Sequence, residues 1–105
     1  MNGLSAATFR QLVQDKVEVV FDDGIVPLEL VSVKESEAGK DFEHFSLVFR
    51  GDGNPFLPQG TYWIRHERFG QEPMFMVPIG QEHGGYRYEI VFNRKKTADG
   101  GVSDE

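Results

Sequence analysis

Near neutral pH, the side chains of this 105-residue chain best suited to acid–base or metal chemistry are His44, His66 and His83. Zinc needs three or four ligands converging within about 2.0–2.3 Å of the metal. The histidines show no HxH or HExxH spacing, so no metal-ligating set is assigned. The absence of cysteine excludes disulfides, thiolate metal sites and a Cys nucleophile together. Ser32 and Ser46 lie inside strand-like runs, with no GxSxG elbow to expose either hydroxyl. Asp22, Asp23, Glu35, Glu37, Asp41 and Glu43 fall in loops or at strand ends, where solvation leaves a carboxylate without special proton-transfer strength. The glycines of GDGNPFLPQG (51–60) open no helix and so form no phosphate cradle. No cofactor is implied, and the expectation is a protein that is not an enzyme.

The densest mixture of rings and charges is QGTYWIRHERFGQEPMFMVPIG (59–80). Strand alternation puts Tyr62, Ile64 and His66 on one face, and Trp63, Arg65 and Glu67 on the other. Tyr62 and Ile64 are expected to face a core that Phe75 and Phe92 share, with His66 near its rim. Trp63 and Arg65 then lie outside, where a guanidinium can stack on the indole. That face reads first as a solvated wall whose Arg and Glu side chains pair across strands. Its functional reading is a protein-binding surface of Trp63, Arg65 and Arg87, because an exposed Trp flanked by Arg resembles a binding hot spot. The rival is a small-ligand-binding or hydrolytic β-barrel using His66 with Glu67 or Tyr62, which requires an enclosed cavity.

The elements that would position these residues are mostly strands. Ser5 can cap a short N-terminal helix in which Leu4 and Phe9 form a staple and Phe9, Leu12 and Val13 a stripe. VEVVF (17–21), the turn at Asp22-Asp23-Gly24 and IVPLELVSV (25–33) read as a hairpin. KESEAGKDFE (34–43) reads as a polar loop. FSLVFRG, TYWIRHE, PMFMVPIG and YRYEIVFNR then alternate, the last with Tyr86, Tyr88, Ile90 and Phe92 on one side. The fold class is mainly β: a small antiparallel sandwich or partly open barrel of five to six strands with one short N-terminal helix. An open meander leaves two sheet edges, which Pro73 and Pro78 help to blunt. Residues 1–93 form the single domain, and 94–105, lacking periodicity, are expected to be a flexible tail.

The net charge is −6, and the last twelve residues carry three bases and three acids, so the body alone is acidic. Phosphate backbones are bound by Lys and Arg, so nucleic acid is not the expected partner. No apolar run approaches the roughly 20 residues that span a bilayer, so no membrane partner is expected. The N-terminal residues lack a charged stretch followed by an apolar one, and a cytoplasmic location is the default expectation.

Phe45, Ser46, Leu47, Phe49, Arg50 and Gly51, then Gln59, Gly60, Thr61, Tyr62 and His66, form a pattern that Gly70, Phe75, Pro78, Tyr88, Glu89, Phe92 and Asn93 complete. With the helix bearing Phe9 and Leu12, this resembles a family of small bacterial proteins classed only as a domain of unknown function. Ile90 departs from the small residue of that pattern. The resemblance implies a single-domain protein, sometimes associated with phage-like or surface assemblies, and carries over no catalytic residue. The expected function is a non-enzymatic structural or adaptor module that binds a protein partner or itself as a homo-oligomer.

Overall fold

Ser5 starts the one helix, as its sequence position predicts: its hydroxyl accepts a hydrogen bond from the Thr8 N–H at 3.1 Å. The computed structural model describes residues 4–37 and 41–95. Helix α1 (Ala6–Arg10) is only five residues long and cannot hold itself in water. It is anchored by Phe9, which is fully buried against Phe45, Phe69 and Phe92 at ring-centroid distances of 6.2, 5.5 and 5.8 Å. Leu12 is buried behind it, while Val13 remains exposed.

Six strands follow: β1 (Lys16–Phe21), β2 (Gly24–Glu37), β3 (Phe42–Asp52), β4 (Gly60–His66), β5 (Gly70–Glu82) and β6 (Gly85–Lys95). All pair antiparallel, in the closed order β1-β2-β3-β6-β5-β4. The run β4-β1-β2-β3 is a Greek key. β2 and β5 are long because each meets its two neighbours along successive stretches. β2 pairs with β1 up to Glu29 and with β3 from Glu29 onward, bulging between Leu30 and Ser32. β5 pairs with β4 up to Met76 and with β6 from Val77, bulging between Pro78 and Gly80. These bulges bend the strands so that the sheet curls onto itself.

The barrel therefore closes, and the two sheet edges expected of an open meander are joined where β1 meets β4 through Glu18–Arg65, Val19–Ile64 and Val20–Trp63. The polar loop expected over 34–43 is largely strand as well: Lys34, Glu35, Ser36 and Glu37 pair with Ser46, Phe45, His44 and Glu43. Ladder partners satisfy backbone groups whatever the side chains are, so polar composition alone did not break the strands. β6 also runs two residues past the expected boundary at 93. Arg94 is fixed there by Glu43 (Nε donating to Oε2, 2.6 Å), by the Leu4 carbonyl, and by lying over the Phe45 and Phe92 rings. The rest of the expected tail, residues 96–105, lies outside the described residues.

Inside the wall, Val17, Val19, Leu28, Leu30, Leu47, Phe49, Ile64, Met74, Met76, Tyr88 and Ile90 form one apolar core, and among the described residues no charged or polar residue is buried in it. Phe75 does not join it. Met74 and Met76 take the inward positions of β5, which turns Phe75 outward, 52% exposed. At one end of the barrel the segment after β3 folds over the opening. Leu57 is buried there, and its N–H donates to the Tyr88 hydroxyl at 3.1 Å. The Tyr62 hydroxyl donates to the Pro58 carbonyl at 2.5 Å. Beside this cover β3 and the β5–β6 hairpin approach so closely that a Cβ at Gly85 would collide with the Gly51 carbonyl. Only glycine fits there.

Candidate functional site: the outer face around Trp63

Residues facing each other across antiparallel strands share one side of the sheet. Ile25 pairs with Val20, Val20 with Trp63, and Trp63 with Pro73. One rung of the barrel wall is thus apolar across four successive strands, β2, β1, β4 and β5. At roughly 4.8 Å between strands, it extends about 14 Å around the outside. Ile25 is 47% and Trp63 51% exposed. Phe75, paired with Thr61, widens the row on β5. Trp is among the residue types most enriched where protein contacts carry energy.

The next rung is polar on three of its four strands, Glu18, Arg65 and Gln71, with Pro27 at its β2 end. Arg65 donates from Nε and Nη2 to Glu18 Oε1 at 2.9 and 2.6 Å, tying the two strands whose pairing closes the barrel. Its guanidinium is committed to that bond rather than stacked on the indole as the sequence suggested. Among the described residues the guanidinium that covers rings belongs to Arg94. Below the apolar row an open groove of about 620 Å³ runs past Lys16, Glu18, Pro27, Arg65, His66 and Gln71.

Trp63 and Arg65 therefore share a face, but Arg87 does not join them. It pairs with Gly80 on β5, seven residues from Pro73, or roughly 23 Å of extended strand at about 3.3 Å per residue. There Arg87 holds Glu82 with two bonds, Nε to Oε1 at 2.8 Å and Nη2 to Oε2 at 3.3 Å, and keeps that carboxyl below its ordinary pKa. Arg50 approaches the same carboxylate at 3.9 Å.

His66 has found a partner that the sequence did not suggest. Its Nε2 lies 3.1 Å from Asp15 Oδ2, and its Nδ1 accepts the Arg68 N–H at 2.9 Å. With Nδ1 accepting, Nε2 carries the proton and donates to Asp15. Both ring nitrogens are thereby occupied, and the side chain is only 8% exposed. The bond from His66, with a second from the Lys16 N–H, holds the Asp15 carboxyl below the usual carboxylate range. This cluster joins the helix–β1 connection to the β4–β5 turn, where Arg68 also reaches the Gln11 side chain. Neither Glu67 nor Tyr62 touches the imidazole: Glu67 is exposed, and the Tyr62 hydroxyl is spent on Pro58. Among the described residues no three His, Asp or Glu side chains are grouped to hold a metal ion. No described helix is long and apolar enough to cross a membrane.

The sequence pointed to Trp63 but not to Ile25, Val20, Pro73 or Phe75. Each of these is unremarkable locally. They become one surface only through the register of four strands, two of which meet by barrel closure.

The family model described as "Domain of unknown function (DUF6916)" matches residues 4–92, from just before the helix cap to the last inward ring of β6. The chain belongs to the DUF6916 family. The match covers α1, all of β1 to β5 and most of β6, and so spans nearly all of the described fold. No curated protein and no solved structure matches the chain.

Proposed function

We propose that this DUF6916 domain is a non-enzymatic structural or adaptor module that binds another protein, or itself, through the outer face centred on Trp63. The observation that carries this reading is the unbroken apolar rung Ile25–Val20–Trp63–Pro73, with Phe75 beside it, on the outside of a barrel whose inside is filled with side chains. Leaving such a row in water costs free energy, at about 25 cal/mol per Å² of apolar surface, that a docked partner recovers. The occupied nitrogens of His66 favour this reading over one in which that histidine moves protons. A phage-like or surface assembly, the setting that the family resemblance implies, would use a module of this kind as a connector.

The test is affinity capture from the native organism with the wild-type domain and the Trp63→Ala variant as parallel baits, after both are shown to melt alike. The proposal requires a protein, or a second copy of the chain, that the wild type retains and the variant loses. Identical captures by the two baits would refute it.

A further inference from the structure

Charge is not spread evenly along the apolar row. At the Trp63 and Pro73 end, the neighbouring rung is balanced by the Glu18–Arg65 pair. At the Ile25 end it is not. The β1–β2 turn places Asp22 and Asp23 one pair beyond the Val20–Ile25 rung, between Phe21 and Gly24. Asp52 lines, together with Ile25 and Pro27, a hollow of about 230 Å³ between β2 and the end of β3. All three carboxylates are exposed. Among the described residues none of them has a hydrogen bond or an ion pair. Of the six arginines, five are spent on other carboxylates, Arg10 on Glu35, Arg50 and Arg87 on Glu82, Arg65 on Glu18, and Arg94 on Glu43, and Arg68 is bonded to the Gln11 side chain.

Resting on the docking role of this face, we propose that its occupant is a cationic partner segment lying across the strands, with apolar side chains over Trp63 and Pro73 and a Lys or Arg at the Ile25 end among Asp22, Asp23 and Asp52. Apolar burial holds such a segment, and the one-sided charge gives it a direction and selects against acidic partners. The same charge works against a second copy: the chain carries −6, and an isologous pairing would face one carboxylate group with another unless the copies were offset.

Trp63 is the only tryptophan, so its fluorescence reports on this face alone. The probes are two synthetic peptides with the same Leu-Phe core, one flanked by lysines and one by glutamates. The expected result is a saturable blue shift with the lysine peptide and binding at least about tenfold weaker with the glutamate peptide, a difference that shrinks as salt is raised. Asp22→Asn with Asp23→Asn should remove most of the preference. Asp52→Asn, outside the tight turn, repeats the test if the turn variant folds poorly. Equal binding of both peptides, or binding of neither, overturns the cationic class. The docking reading itself then stands or falls on the Trp63→Ala captures. A wild-type dimer in solution that Trp63→Ala dissociates would show the occupant to be a second copy and would also overturn this inference.

Discussion

Trp63 and Ile64 are neighbours on β4 but stand on opposite sides of the barrel wall: the indole is 51% exposed and Ile64 is fully buried. Their contrast separates what holds the fold from what the fold presents. Ile64→Ala should cost about 2–5 kcal/mol, the range for deleting a buried aliphatic side chain and leaving a cavity. Trp63→Ala should change stability by no more than about 1 kcal/mol. Urea unfolding of both variants measures this, and a Trp63 loss as large as that of Ile64 would make the indole part of the structural framework.

Tyr88 is buried with its hydroxyl holding the Leu57 N–H. Tyr88→Phe keeps the ring and strands that donor out of water, so destabilisation of about 1–3 kcal/mol is expected. The loosening should concentrate in the segment that covers the barrel end. Hydrogen exchange at Leu57 would read it directly, and an unchanged rate there would mean the bond contributes nothing.

The Arg65–Glu18 bond joins the strands that close the barrel, yet both side chains are more than a third exposed, 44% and 40%. Solvent screening limits such a pair to about 0–1 kcal/mol. A double-mutant cycle with Arg65→Ala and Glu18→Ala should therefore return a small coupling that declines further in salt. A coupling of several kcal/mol would show that the seam depends on charge rather than on Val19 and Ile64.

The pH dependence should have two flanks. Asp15 and Glu82 are held below their ordinary pKa by His66 and by Arg87 respectively. The stability they contribute is fully present above the unfolded carboxylate pKa and is lost as pH falls through the lowered folded values. Burial raises the Tyr88 and Tyr62 hydroxyls above the ordinary phenol value. Stability should therefore decline as pH rises from the unfolded phenol pKa toward the higher folded values. Melting curves across pH would show both flanks, and Tyr88→Phe should flatten the alkaline one.

How far the sequence went depends on range. Ser5, Phe9 and the alternation of Tyr62, Ile64, Leu47 and Phe49 are local signals, and they predicted the capped helix and most inward faces. β5 defeated the periodicity because Met74, Phe75, Met76 and Val77 are all apolar, so either phase satisfies alternation. Pairing with β4 decided it, turning the two methionines inward. The strand residues of KESEAGKDFE looked like a loop because nothing local shows that β3 offers a ladder partner on each side. The Asp15–His66 bond joins residues 51 apart, and the apolar rung depends on β1 meeting β4. Neither leaves any trace within a single window of sequence.

The proposed docking role makes the outward rung through Trp63 the surface that meets the partner. Hydroxyl-radical footprinting, on the chain alone and then bound to the partner captured by the wild-type bait, tests it most directly. Reactivity should fall at Trp63, Phe75 and Ile25 on binding and stay unchanged at Phe42 and Val13, which are exposed away from that rung. Protection at Phe42 or Val13 with Trp63 still reactive would place the contact elsewhere and contradict the account.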